Sequence, residues 1–519
     1  MKVRTVKQLV VLALIPAPLG LGAQEFSSPV LAAGQFRVEL SALFYLADER
    51  FGRRVVEDGS VIKEVEPLEF DFVDTAVGSR LFPAFEDLEA DLTTAAGTAI
   101  TPVVLGGTRA VLTRDVVWLP LRLDLGLRDW LTVGTTVPFS RRRAEFATSI
   151  QTDGADVGLP PGGAGTFLGE VFTANEALGG VVTTLCTADP SSPACSQATS
   201  LLAAGVGYHE SLTRAYGDYG VFPLEGSGTG DALQSNTTSL VNAYQAAGVS
   251  FPATIPLATE VLTEATYLDL VSNPVYRVKG DSLQTWRSPW ELGDVEIHAN
   301  ARLWSIGLDT APDEPQPNLR LELGAGALYR LGSGRIDSPR NFLDTGSGDG
   351  QNDFELSGFG TLGVGRRLSM VGEFRYGIQQ SVLVLKRVTA PDRIFAPASA
   401  EQVVRWNPGD YMQVRVSPRF SLTEEIGLVL DLRYFTKKQD QYTSVEAGVG
   451  LDPGVLNLET AQESFGIGGG VVYSTIPSGR GWPIEARFLF QEAVSGNGGA
   501  TPKTWRAEVG VRFLWGLWE

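Results

Sequence analysis

The strongest constraint on this chain is the alternation in its last strand-like segment, where Trp505, Ala507, Val509, Val511, Phe513 and Trp515 are separated by Arg506, Glu508, Gly510 and Arg512. A two-residue period puts the apolar set on one face of a β-strand and the charged set on the other. In a soluble sheet the charged face meets water and the apolar face meets a core. Here the pattern recurs in twelve segments, each with roughly the ten residues a tilted strand needs to cross the hydrocarbon of a bilayer. Such faces fit a closed barrel in lipid, apolar outside and polar within, because closure leaves no backbone group unpaired in the bilayer. The expected fold is all-β: a transmembrane antiparallel β-barrel of 12 strands, with 14 as the alternative if 61–73 pairs as a hairpin inside the first long loop.

The twelve segments are 36–46, 116–127, 131–139, 292–304, 318–331, 353–364, 369–378, 410–420, 425–435, 463–474, 483–492 and 504–515. The second is the clearest, with Leu119, Leu121, Leu123, Leu125 and Leu127 alternating with Arg122 and Asp124 before Arg128-Asp129-Trp130 turns into the third. With the first strand rising from the periplasm, the connections at the periplasmic end (128–130, 305–317, 365–368, 421–424, 475–482) are short. Those at the other end (47–115, 140–291, 332–352, 379–409, 436–462, 493–503) are mostly long, the asymmetry of an outer-membrane barrel. Trp118, Trp130, Trp290, Trp304, Trp505 and Trp515 fall near strand ends, where an amphipathic indole prefers the headgroup zone.

Composition narrows the setting and the partners. Lys2, Arg4 and Lys7 precede an apolar run from Leu9 to Leu21 and then Gly22-Ala23-Gln24, the plan of a secretory signal peptide over 1–23. Beyond it no stretch is continuously apolar over the length of a spanning helix. A net charge of −18 opposes nucleic acid and anionic lipid as partners and is accounted for by solvated loops. Cys186 and Cys195 bracket a proline-containing turn, which in an oxidising envelope compartment predicts a disulfide contributing about 3 kcal/mol or less. No second cysteine pair and no nearby His complete a metal site there.

Residues 140–291 differ in character. Arg141-Arg142-Arg143 and a Gly/Pro-rich linker over 158–163 lead into alanine-rich, helix-compatible stretches near 168–186, 196–216, 231–247 and 256–272. The expected organisation is a signal peptide (1–23), three strands with a long first loop (24–139), a helical insertion acting as cap or plug (140–291), and nine further strands (292–519).

Parity places Arg122, Asp124, Glu296, His298, Arg302, Arg320, Glu322, Glu373, Arg375, Arg415, Asp431, Arg433, Glu485, Arg487, Arg506 and Glu508 on the inner wall. Arg37, Glu39, Asp294, Arg330, Glu355, Arg419 and Arg512 join them. Nearly balanced charges can satisfy one another by cross-strand ion pairs, and a wall of both signs can also orient a polar solute. No catalytic residue is expected. Two residues beyond His298, where outer-membrane phospholipases carry their nucleophilic serine, stands Asn300, and His209 lies beside Glu210 in the insertion. The run Asp344-Thr345-Gly346-Ser347-Gly348-Asp349-Gly350-Gln351-Asn352-Asp353 has the oxygen ligands of a calcium loop without its full spacing or closing Glu, and reads as a flexible turn. Gly324-Ala325-Gly326 and Gly466-Ile467-Gly468-Gly469-Gly470 lie inside strands and predict close packing or bending.

The phrases Leu127-Arg128-Asp129-Trp130-Leu131-Thr132-Val133-Gly134 and Leu292-Gly293-Asp294-Val295-Glu296-Ile297 resemble those of a broad family of outer-membrane barrels, some labelled transporters of the meta-pathway of phenol degradation. The resemblance covers most of the barrel and none of the insertion. It implies small-molecule transport without naming a solute. The chain departs from the family's usual aromatic end in finishing Trp518-Glu519. Two expectations follow. The first is a passive channel or transporter for small solutes in the outer membrane of a Gram-negative bacterium, gated by the insertion, with lipid and a solute as partners and no cofactor. The second is a closed barrel that displays the insertion for adhesion or partner binding.

Overall fold

A computed structural model describes residues 28–55, 61–308, 317–446, 448, 450–476, 482–499 and 501–517. The expected signal peptide and the Trp518-Glu519 end lie outside the described residues. The barrel strands are β1 (Gln35–Val55), β2 (Gly107–Arg128), β3 (Leu131–Gln151), β4 (Val295–Ile306), β5 (Leu319–Leu331), β6 (Asp353–Val364), β7 (Leu368–Gln379), β8 (Tyr411–Ser421), β9 (Ile426–Lys437), β10 (Gln462–Ser474), β11 (Ile484–Asn497) and β12 (Thr501–Gly516). Each pairs antiparallel with its neighbours in sequence, and β12 closes onto β1 from Gln35↔Gly516 to Phe51↔Thr501.

The count is therefore 12 rather than 14. Val61–Pro67 does form a strand, but it pairs only with Glu49–Val55 at the far end of β1. Lower down, from Phe36↔Leu125 to Ala47↔Arg114, the place beside β1 belongs to β2.

The faces are inverted relative to a soluble sheet. Leu40 and Phe488 on the outer face are 55% and 53% exposed, while Asp124 and Arg512 on the inner face are at 0%. Trp505 and Trp515 are ten residues apart on β12; at a strand tilt near 40° that is about 25 Å of height, the apolar band of a membrane barrel. β1, β2 and β3 rise well past this band, and β3 continues to Gln151, beyond the expected 139. Their ladders continue where the lipid ends, and with no lipid to face, the outer residues (Arg141, Arg143, Glu145) no longer need to be apolar.

At the long-loop end, five helices pack together: α1 (Phe85–Ala96), α2 (Ala164–Ala188), α3 (Pro193–Gly217), α4 (Gly228–Ala246) and α5 (Glu264–Ser272). Leu88, Leu92, Leu178, Leu212, Leu233 and Tyr267 share one apolar core with Ala47, Leu112, Ala144 and Phe146 of the raised strands. α1 lies in the first long loop, where no helix was expected, and residues 256–263 are not helical. α2 and α3 form a hairpin whose tip is closed by the Cys186–Cys195 disulfide. Among the described residues no helix is long and apolar enough to cross a membrane.

Candidate functional site

The inner faces of β1 and β2 bring Arg37, Glu39, Arg122 and Asp124 together. Asp124 accepts from Arg37 Nε at 2.9 Å and from Arg122 Nε at 3.0 Å, and its other oxygen lies 2.7 Å from His298 Nε2 on β4. That last contact crosses the intervening strand β3 directly over Gly134. A Cβ at 134 would collide with Asp124 Oδ1 and stand 2.6 Å from His298 Nε2, so a glycine is required there.

The same device recurs on the other side of the closure. Arg487 of β11 reaches past β12 to Glu39 and, at 3.0 Å, to Ser41 of β1, while its Nε holds Glu508 at 2.6 Å. Gly510 lies beneath it, where a Cβ would sit 3.0 Å from both the guanidinium and Ser41 Oγ.

Around the rest of the wall, Arg506 pairs with Glu508 at 2.7 Å, Arg512 with Glu485 at 2.6 Å, and Arg302 with Glu322 at 2.9 Å. Arg415 holds Asp431 at 2.6 Å, and Ser417 and Gln491 donate to the same carboxylate. Arg375 lies between Glu373 (2.6 Å) and Glu355 (3.2 Å), and Arg330 between Glu296 (3.0 Å) and Asp353 (3.3 Å). Arg433 donates to Gln413 Oε1 at 2.6 Å, and Arg320 to the Gly365 carbonyl at 3.4 Å. Gln413, Ser417, Gln491 and Tyr411, whose hydroxyl donates to Glu355, were missed because only charged and imidazole side chains were assigned to the inner wall, and Asp353 because it was read as the end of the glycine-rich run.

Asp294 was expected inside the barrel but stands just before β4, where its carboxylate clips the loop above. It accepts from the amides of Gly334 at 2.7 Å and Asp349 at 3.3 Å. Burial, and then the neighbouring charge of Asp349, push its pKa up to about 7. In the glycine-rich run nearby, Asp344 binds Arg335 at 2.9 Å and accepts from the amides of Ser338 and Gly346.

One part of the site was not anticipated. Residues 28–33, at the short-turn end, fold back into the lumen. Ser28 Oγ donates to Glu322 Oε1 at 2.7 Å, Arg37 Nη1 donates to the Ser28 carbonyl at 3.3 Å, and the Leu31 amide donates to Thr132 Oγ1 at 2.7 Å. Val30 and Leu31 are buried. Pro29 reaches the opposite wall, where with Phe359, Val371, Glu373, Arg415 and Ser417 it borders a cavity of about 20 Å³, room for a single water.

This arrangement defines a class: a transmembrane β-barrel whose polar interior is lined by buried ion pairs. No protein-family model and no curated protein matches the chain. Among solved structures it is similar to an outer-membrane channel from Pseudomonas putida F1, at 8% identity over 95% of this chain and 100% of that one (TM-score 0.42). The translocator domain of autotransporter NalP from Neisseria meningitidis is 7% identical over 93% and 89% (0.30), and the Ralstonia pickettii toluene transporter TbuX 9% over 93% and 90% (0.29). These likenesses are weak, and the barrel rests on its own strand pairing.

Proposed function

We propose that the protein is a passive channel for small solutes in the outer membrane of a Gram-negative bacterium, its long-loop end outward and its helical insertion capping that end. The reading is carried by the lumen wall, where paired charges such as Arg487–Glu508, Arg415–Asp431 and Arg330–Glu296 are buried. Stability alone does not call for such a filling, since apolar side chains of the same volume hold a core as well as buried ion pairs or better. Compensated charges, however, can be rehydrated without stranding an ion, which a water-filled path requires. Single-channel recording of the refolded protein in planar bilayers is the test: discrete current steps are expected. A folded barrel that stays silent under voltage rejects the channel.

One observation favours display of the insertion as a second reading. Over 177–208, spanning most of the α2–α3 hairpin, Asp189 is the only Asp, Glu, Lys or Arg, and Phe172 and Val206 are 51% and 39% exposed. A hairpin whose distal part carries a single charge, closed by a disulfide on an otherwise acidic protein, offers a partner a surface with little desolvation cost.

A further inference from the structure

We infer that Tyr45, Arg433 and Arg506 form a binding site inside the barrel for the carboxylate of a small organic anion. That such an anion is a passing solute rests on the channel reading; the site itself stands on the geometry of the wall.

The charges do not balance here. The inner wall brings together four arginines, Arg415, Arg433, Arg487 and Arg506, and three carboxylates, Glu39, Asp431 and Glu508. Each carboxylate is already engaged: Asp431 accepts from Arg415, Ser417 and Gln491, Glu39 from Arg487, and Glu508 from Arg487 and Arg506 at once. Arg433 is left over. Among the described residues its one hydrogen bond is to Gln413, and it makes no ion pair. The charge it feels most strongly is that of Arg506, a second arginine. Holding a cation inside a protein without a counter-charge is destabilising, so stability does not account for Arg433. The surplus is also opposite in sign to the chain's net charge of −18, so composition does not account for it either.

Donors without acceptors converge on the same place. Arg506 is 5% exposed; its Nη2 pairs with Glu508 at 2.7 Å, and its buried Nε has no partner among the described residues. Its guanidinium lies 5.5 Å from the ring centre of Tyr45, the residue directly opposite on β1. The Tyr45 hydroxyl, on a side chain 4% exposed, is likewise without a partner among the described residues, and the charges of both Arg506 and Arg433 reach it. Buried donors left unsatisfied are destabilising, and a ligand that accepts from them removes the penalty. The wall leaves room for one: the row from Arg433 on β9 runs through Gly466 on β10 to Ala493 on β11, which adds no more than a methyl group, and the neighbouring Gln491 is turned to Asp431. Two guanidiniums and a phenol match a planar two-oxygen anion, and a single surplus charge matches a monovalent one. Leu43 and Val116, buried beside Tyr45, offer its hydrocarbon part an apolar neighbour.

The experiment compares the refolded full chain with Arg433→Gln and Tyr45→Phe, each confirmed folded by its heat-dependent shift in gel mobility. Arg433→Gln strands no carboxylate and Tyr45→Phe removes a hydroxyl that bonds to nothing, so both should fold. Binding is read by ligand-observed NMR, with acetate as the probe, acetamide as its uncharged isostere and chloride as the competitor. The expected result is saturable binding of acetate to the full chain and none of acetamide, weakened about tenfold or more by Arg433→Gln and several-fold by Tyr45→Phe. No acetate binding, equal binding by all three proteins, or displacement of acetate by chloride at the same concentration overturns the site. Should Arg433→Gln fail to fold, Tyr45→Phe decides: a weakened affinity for acetate supports the site, and an unchanged one overturns it. Planar bilayers under a salt gradient then separate the site from the channel. A reversal potential that favours anions in the full chain and moves toward zero in Arg433→Gln supports a station on the solute path, and a conducting channel with the same reversal potential in both overturns that role. A folded chain that stays silent rejects the channel, while the NMR result still decides the site.

Discussion

A methyl group at position 134 would collide with Asp124 Oδ1 and crowd His298 Nε2, so Gly134→Ala has to part them. The cost expected for breaking into a buried charge cluster is about 3 kcal/mol, read as a lower urea midpoint for the protein refolded in lipid vesicles. An unchanged midpoint would mean that Arg37 and Arg122 hold Asp124 unaided. The charges themselves were legible, because parity alone turns Arg122 and Asp124 inward. The glycine between them was not, since its role depends on the register of three strands at once. Asp294 was misplaced for a related reason: alternation carries on to a strand's edge and does not say where the ladder stops. Its folded pKa of about 7 stands above the ordinary 3.8, so the loop clip is strongest with the carboxyl protonated and weakens as pH rises through about 7. Proteolytic nicking within 332–349 should accordingly increase between about pH 4 and about pH 7 and level off above, and Asp294→Asn should flatten the response. A pH-independent wild type would show that the carboxyl is already ionised throughout.

Strands and helices were legible to different depths. Within the bilayer every outward residue must be apolar, so the strands announce themselves at period two, and all twelve were found. Past the lipid that demand lapses, which is why the upper halves of β2 and β3 were read as loop and the short strand Val61–Pro67 entered only through the 14-strand alternative. α1 did carry a signal, with Phe85, Leu88, Leu92 and Ala95 at helical spacing, but it is short and lies inside a long connection. The α2–α3 hairpin shows how local an element's stability can be. Its distal half has few neighbours beyond its own partner helix, so the Cys186–Cys195 bond constrains the hairpin and little else. Replacing both cysteines by Ser should cost the hairpin up to about 3 kcal/mol, seen as faster amide exchange near its tip, with the barrel's unfolding midpoint unmoved. A fall in that midpoint would couple the hairpin to the barrel more tightly than its contacts allow.

Taken whole, the molecule has two interiors with opposite logic: an apolar core that holds the helices to the raised strands, and a lumen filled with ion pairs. The first follows from hydrophobic burial. The second does not, and if its charges serve passage, stability and conduction should come apart on mutation. Arg415 and Asp431, 2.6 Å apart on adjacent strands, allow that separation. Asp431→Leu alone leaves a buried arginine without its carboxylate and should cost about 3–5 kcal/mol. Combined with Arg415→Met and with Ser417→Ala and Gln491→Leu, which remove the two other donors to that carboxylate, the loss should largely be recovered, because the cluster is replaced by apolar volume. Conduction should not recover with it. In planar bilayers the combined variant should pass clearly less current than the wild type, since one stretch of wall no longer holds water. Recovery of both would leave the lumen's charges no role in passage and turn attention to the hairpin. Recovery of stability alone would mark the ion pairs as the lining of a path.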